Sequence, residues 1–561
     1  MTSDRRPLTR WVVAAAAIVP AALAVIAARV DRPTVGPDAV SYIAVADSLR
    51  TGGGLGFFLE RPLTTWPPLW PALIAVGETI TGWRGDLVAL AMNVVLLALV
   101  VVAGSHLAGH VLERRSVRYV LLAGLAVSPM LIGLGIIVQT EIAFVLGATL
   151  SLILILHGIA PTPTPTPASP STASPSTASP AASLPTADRS APPTGQVEPS
   201  SSCDGSRTWF LAGAGAVLAV CFYVRYQAFY AVPILGGWLL VRTWMTSRSL
   251  RRTAVATAAF VLTATVPSAI WMVRNLVTSD TIMGPRFPSD RGLANNVADG
   301  FATLAKFVSS LPTGPASLLA LLGVSIVAVV VVTLALTGEH PGPRTWWLSV
   351  RTAFLGPVGL LVTFVVGFSC LMAATRSVVG FDDLDIRLLA PCMIPVSILF
   401  LHWAEVVLLD SSRWAVLGRV AIGTWLALQA VVTLLLLGPA NAQLGDTGYN
   451  APRAVAAATS PALARVPDGC VLYSNNAGDL YRGGTNAELS PRKVEYKSDQ
   501  RTNDLRDLQK AVDGGQAACL AWVGYTDDDE VYSREELSTV VRLVQLGASD
   551  GVTVYRMEPR T

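Results

Sequence analysis

Charge is scarce in this 561-residue chain. Asp, Glu, Lys and Arg make up 14% of it, against 52% hydrophobic residues. Soluble domains carry about 25% charged residues, so an ordinary soluble protein is excluded. Cysteine is also sparse. The six, Cys203, Cys221, Cys370, Cys392, Cys470 and Cys519, include no CxxC pair, which argues against a zinc knuckle or a dithiol redox site. The net charge of +3 gives no electrostatic case for a nucleic-acid partner. Neither an internal repeat nor a polar break near the middle of a span stands out. Both would be expected of a transporter built from related halves.

What is present is a series of nearly charge-free runs, long enough to cross a hydrocarbon core of ~30 Å. Eleven spans are expected, at about 11–30, 86–108, 118–138, 141–158, 208–224, 228–243, 253–274, 313–336, 352–374, 388–408 and 419–438. The first follows MTSDRRPLTR. Without a small-residue cleavage site, it reads as an uncleaved helix. Arginines gather in alternate turns: Arg114, Arg115 and Arg118; Arg242, Arg248, Arg251 and Arg252; Arg344 and Arg351; Arg413 and Arg419. Positive residues favour the cytoplasmic side, so the N-terminus is expected inside and the C-terminus outside. The fold class is mainly α, a polytopic transmembrane helical bundle over 1–440 with a small extracytoplasmic α/β domain over 441–561, in the plasma membrane.

Residues 160–206 repeat Pro, Ser, Thr and Ala. That composition cannot build a core and predicts a disordered cytoplasmic loop. The first external loop, 31–85, is too long for a turn. It is expected to hold two short helices, 38–50 and 68–81, with Trp66, Trp70 and Trp83 at the interface. Beyond 441, CVLYSN (470–475), ACLAWV (518–523) and VTVYRM (552–557) read as buried strands. NDLRDLQKAV and SREELSTVVRLV read as amphipathic helices, the second opened by Ser533 and Glu536 at capping-box spacing. Cys470 and Cys519 fall on two of the strands, so a disulfide and two buried thiols both stay open.

The outer ends of the spans carry the informative polar residues. A charge at a helix centre costs ~2.5–3.5 kcal/mol on insertion scales, and nearly all charges here sit at span ends. Asp38 follows Pro37 at a helix start, where a capping role competes with a catalytic one. Asp47 lies further along the same helix and reads as a solvated or hydrogen-bonded bystander. Glu141 opens the fourth span. Arg225 and Arg274 have no topological reason to lie outside, and Arg387 follows Asp382, Asp383 and Asp385 before the tenth span. An arginine fork matches a phosphate, and a carboxylate accepts a hydroxyl proton. The combination suggests an outward cavity for an anionic lipid headgroup and a hydroxyl acceptor. The blander reading is that these arginines only neutralise the acids or touch lipid phosphates.

The stretches PDAVSYIAVADSL, WPPLWPALIA, QTEIAF, YVRYQAFYAVP, WMVRN and DIRLLAPCMIP, with the tail GYNAPRAVAAA…DGCVLYSNNAGDLY, together resemble the GT-C glycosyltransferase superfamily. Its members include protein O-mannosyltransferases and the lipid A aminoarabinose transferase, which use polyprenyl- or dolichyl-phosphate sugars. The resemblance implies an essential acid in the first external loop, matched by Asp38, and a second in the next external turn, matched by Glu141. Two departures stand out, a lone Asp at 38 where the family often has paired acids or a clear metal-ligand set, and the Pro/Ser/Thr insertion.

These readings imply transfer of a sugar from a polyprenyl-phosphate donor to a hydroxyl acceptor at the outer face, with inversion. Asp38 is the expected base. Arg225, Arg274 and Arg387 are the expected phosphate ligands. Glu141 and Tyr42 are expected to assist the acceptor or a metal, with Asn275 and Asp385 in secondary roles. No cofactor is implied beyond a divalent metal, which stays open. The partners are the lipid-linked donor, the acceptor and membrane lipid. A flippase for an anionic lipid and a scaffold using the outer domain are the competing classes.

Overall fold

The computed structural model describes residues 8–31, 33–57, 61–160, 203–309, 351–409, 415–437, 451–498, 500–526 and 529–560. The Pro/Ser/Thr-rich stretch over 161–202, the expected span 313–336 and residues 438–450 lie outside the described residues.

Among the described residues, nine helices are long and apolar enough to cross a membrane: Arg10–Ala28, Gly85–Gly109, Arg115–Ile136, Glu141–Ile159, Arg207–Val224, Ala228–Ser247, Leu250–Ser279, Pro357–Arg376 and Gly418–Leu437. The chain is a multi-pass membrane protein. A shorter apolar helix, Ala390–Val406, stands where the tenth span is expected. We label α1 (Arg10–Asp31), α2 (Pro37–Arg50), the two-residue strands β1 (Gly56–Phe57) and β2 (Arg61–Pro62), α3 (Leu69–Thr81), α4 (Gly85–Gly109), α5 (Arg115–Ala126), α6 (Pro129–Ile136), α7 (Glu141–Ile159), α8 (Cys203–Val224), α9 (Ala228–Ser247) and α10 (Leu250–Ser279). The expected single span 118–138 divides into α5 and α6. Ser128 accepts from the Leu131 N–H and Pro129 takes the first helical position, a start signal inside an apolar run.

Apolar side chains turned outward mark the lipid face; on α10 these include Leu262, Val266, Ile270 and Val273. At 30 residues, α10 is about 45 Å long, more than a bilayer core needs. Arg274 and Asn275 lie near its far end. The bundle core is filled by aromatic residues, among them Phe144, Phe222, Phe260, Phe364 and Phe368. A second apolar cluster ties α2 and α3 to α4 through Val40, Ile43, Trp70, Ile74 and Ala89. Residues Ala39 to Ala46 of α2 are all buried, so this short helix is enclosed rather than lying on the surface.

The C-terminal region folds around a five-stranded sheet in the order β4-β3-β5-β7-β6, where β3 is Val471–Ser474, β4 Glu488–Leu489, β5 Ala518–Val523, β6 Val541–Ser549 and β7 Val552–Pro559. β3 pairs in parallel with β4 and β5, whereas β7 pairs antiparallel with β5 and β6. Cys470 and Cys519 are joined by a disulfide. One expectation fails here. SREELSTVVRLV is not one helix. The Ser533–Glu536 capping box is formed, but the helix lasts only from Arg534 to Leu537, and 541–549 is strand β6. Val540, Val541 and Val544 favour a pleated surface, and β7 supplies a full antiparallel partner, which a single amphipathic turn cannot match.

This domain sits on the same face as the start of α2. The Tyr481 hydroxyl donates to Asp47 (3.2 Å), Arg482 donates to the fully buried Asp86 (3.2 Å), and Tyr496 donates to Asp382. Of the two expectations for Asp47, solvated or hydrogen-bonded, the second holds: it accepts from Tyr481 across this junction.

Candidate active site

Helix α2 begins with Gly36 as its cap and Pro37 at its first position, and no side chain caps it. The Asp38 carboxylate is thus not spent on its own helix. It accepts from Arg387 Nη2 at 2.6 Å and from the Trp66 indole at 3.3 Å. Glu141, at the start of α7, is 1% exposed, and its Oε1 accepts from Arg387 Nε at 2.9 Å and from Arg225 Nη1 at 3.0 Å. Arg225, in the turn between α8 and α9, also donates to Thr140 Oγ1 (3.0 Å) and Gln227 Oε1 (2.5 Å). The result is an alternating chain, Asp38–Arg387–Glu141–Arg225. Buried charges are tolerated when paired in this way. Burial works against the Arg387 charge, but Glu141 and Asp38 outweigh it and raise its pKa. The third guanidinium nitrogen, Nη1, has only a loose contact with Asp382, at 3.7 Å.

Tyr42 lies one turn beyond Asp38, buried, with its ring edge-on to Trp66 and its hydroxyl bonded to Thr140. Burial, and then the Asp38 charge, push its pKa up, so it stays a neutral phenol.

A second group pins the first loop. Arg274 donates to the Leu63 carbonyl and to Asn275 Oδ1 (3.0 Å), with its guanidinium over the Trp271 ring. The Tyr226 hydroxyl donates to the carbonyls of Thr64 (2.9 Å) and Trp66 (3.3 Å) and accepts from Trp271 Nε1 (2.8 Å) and Asn275 Nδ2 (3.0 Å). Residues 63–66 are held against the end of α10, and this aims the Trp66 indole at Asp38. Gly284 completes the fit. Its φ of +81° and its approach to Thr65 leave no room for a side chain, since a Cβ would meet Thr65 Cα at 2.7 Å.

Two residues further on is Arg286, which the sequence reading missed. It is open to solvent, beside Tyr230 and Tyr226, and close enough to Asp382 and Asp38 for their charges to act on it. It has no hydrogen-bond or ion-pair partner among the described residues. The only cue in the sequence is an arginine within GPRFP, directly after an outer span end. Asp385 faces a different task. It accepts from the N–H groups of Arg387 (2.9 Å) and Leu388 (3.1 Å), fixing the turn that presents Arg387, and burial raises its pKa.

Among the described residues, the acids do not form a cation cage. Asp38 Oδ2 and Glu141 Oε1 are both occupied by guanidinium groups. Among the described residues, only three histidines elsewhere bring three metal-ligating atoms within 4.8 Å of one another.

The multi-pass bundle, with its long first loop, its acid–arginine pairs and a sheet domain after the last described span, shares its overall fold with solved membrane-protein structures. No family model and no curated relative matches the chain by sequence. Among solved structures, it is similar to ArnT from Cupriavidus metallidurans in the apo state, at TM-score 0.54 and 13% identity over 95% of this chain and 96% of that one. The same enzyme bound to undecaprenyl phosphate gives TM-score 0.55 and 13% identity, over 97% of both chains. The Archaeoglobus fulgidus oligosaccharyltransferase in complex with zinc and sulfate gives TM-score 0.50 and 10% identity, over 96% of this chain and 72% of that one.

Proposed function

We propose that this protein transfers a sugar from a polyprenyl-phosphate-linked donor to a hydroxyl acceptor on the outer face of the membrane. The observation that carries the proposal is the Asp38 carboxylate, uncommitted to helix capping and held between Arg387 and the Trp66 indole, with Arg286, unpaired among the described residues, close by. A site for this reaction needs a base for the acceptor and cations for the leaving phosphate, and both are within reach of each other here.

In the proposed step, the acceptor oxygen attacks the anomeric carbon as the bond from that carbon to the phosphate oxygen breaks. The polyprenyl phosphate leaves with the electron pair, and the hydroxyl proton passes to Asp38. Displacement in line inverts the anomeric centre. Arg387 holds the Asp38 carboxylate in position at 2.6 Å. Its loosely held Nη1, together with Arg286 and Arg274, supplies positive charge to the phosphate. Arg225 and Glu141 serve mainly to hold Arg387 in place, and Tyr42 packs Trp66 against Asp38. Asn275 orders the loop through Tyr226, and Asp385 sets the turn before α-helical residues 393–403. The N-terminus inside and the sheet domain outside follow from the arginine distribution. The likeness to a structure holding undecaprenyl phosphate supports a lipid-phosphate donor.

The test supplies purified protein with a radiolabelled polyprenyl-phosphate sugar and a mixed envelope extract. Label should move from the lipid to an acceptor. No transfer from any lipid-linked sugar, combined with movement of lipid phosphate across liposomes, would overturn the reading in favour of a flippase.

A further inference from the structure

The membrane face opposite the acid–arginine cluster carries a separate group of side chains. Three of the five histidines in the chain meet there. His106 and His110 are four residues apart at the end of α4, so they share one helix face. His157 comes from the last turns of α7, which packs beside α4. Sixteen residues separate Glu141 from His157, so the group lies about 24 Å along the helix from the proposed active site.

The rings converge from both helices. His106 and His157 are nearly parallel with centroids 5.4 Å apart, and His110 is edge-on to both, at 5.4 and 5.2 Å. The ligating nitrogens lie within 4.8 Å of one another. His157 Nδ1 is 2.9 Å from the Ile153 carbonyl. A carbonyl only accepts, so Nδ1 carries the proton and Nε2 keeps its lone pair. A neighbouring carbonyl fixes the tautomer of metal-ligating histidines in the same way. Phe210 walls the far side of His157, at 5.6 Å between centroids. His106 is open to solvent, which leaves a route of entry and room for water as a fourth ligand.

We propose that His106, His110 and His157 form a binding site for a borderline divalent transition ion, with zinc the first candidate. Imidazole is a favoured ligand for zinc and cobalt, and three imidazoles plus water is a common tetrahedral set. Zn–N bonds of about 2.0–2.1 Å put tetrahedral nitrogens about 3.3 Å apart. Rotation of the three side chains closes the remaining gap of an ångström or so. The ion would clamp α4 to α7 at the face away from the transfer chemistry.

The full chain, purified in detergent with any polyhistidine tag removed, is stripped with chelator and titrated with zinc against a chromophoric competitor. One ion should bind per chain. His157→Ala should weaken binding by about 100-fold or more, since loss of even an outer-shell partner costs 10–100-fold. Cobalt should give the visible absorption of a low-coordinate site in wild type and not in the variant. Should His157→Ala fail to fold, His106→Gln at the solvent-open position gives the same readout. Wild-type protein that takes up neither zinc nor cobalt, or binding unchanged in these variants, overturns the proposal.

Discussion

Replacing Asp38 by Asn is the most informative perturbation, because its effects on rate, stability and donor binding have different signs or sizes. Asn removes the proton acceptor but keeps the shape and one acceptor oxygen for Trp66. General-base catalysis contributes typically 10²–10⁴-fold, about 3–5 kcal/mol of barrier, so kcat should fall by that factor. The stability cost should be much smaller. The Asp38 and Arg387 side chains are 29% and 25% exposed, and a partly solvated pair is worth on the order of 1 kcal/mol. Arg387 keeps Glu141 as a partner in the variant, and its Nη2 becomes available. Affinity for the donor phosphate should therefore stay level or rise. Single-turnover transfer and equilibrium binding of a polyprenyl phosphate, measured on the same preparations, separate these effects. Transfer at the wild-type rate would refute the base assignment. A variant that loses donor binding in step with its rate would show that Asp38 only orders the site.

Arg286→Gln should raise the donor KM by roughly ten- to a hundredfold with a smaller effect on kcat, because a hydrogen bond to a charged group contributes about 1.5–3 kcal/mol; steady-state kinetics over a donor series checks this. In the sheet domain, burial pushes the Asp479 carboxyl up to about 6. Protonation of this carboxyl in the folded state adds stability at low pH that is lost as pH rises through 6, so hydrogen exchange of β5 should show on the order of 1 kcal/mol more protection at about pH 5 than at pH 7.5. Asp479→Asn should flatten that difference. Reducing or replacing Cys470 and Cys519, 49 residues apart, should destabilise the same strands by about 4 kcal/mol on the chain-entropy account, visible as faster exchange in reductant.

Most of the bundle was legible because apolar runs of sufficient length have few alternatives in a chain so poor in charge. Boundaries moved where a local signal interrupted a run, as at Ser128–Pro129. Strand β6 was misread because a real capping box preceded it, and cross-strand pairing with β7 was invisible in sequence. The polar residues at outer span ends were legible as a group. The structure joins Asp38, Glu141, Arg225 and Arg387 in one hydrogen-bonded chain, keeps Tyr42 beside it, and assigns Arg274 and Asn275 to the loop clamp. Arg286 was not legible. A loop residue has no periodicity, and its significance lies in having no partner among the described residues while its neighbours do. The histidine group was hidden for a different reason, since His157 meets the α4 pair only through helix packing.

The junction between the sheet domain and the first loop has a consequence for the order in which the chain acquires its shape. Tyr481 and Asp47 are 434 residues apart, and Arg482 and Asp86 are 396 apart. At synthesis rates of about 5–20 residues per second, the first loop emerges roughly 20–90 seconds before the residues that close over it. Throughout that interval Asp86, fully buried in the finished protein, has Arg84 but not Arg482 beside it. The first loop, which carries Asp38, is thus among the first parts of the protein to be made, and its junction with the sheet domain is among the last to close; a chain cut short before Tyr481 would leave Asp47 and Asp86 without these late partners.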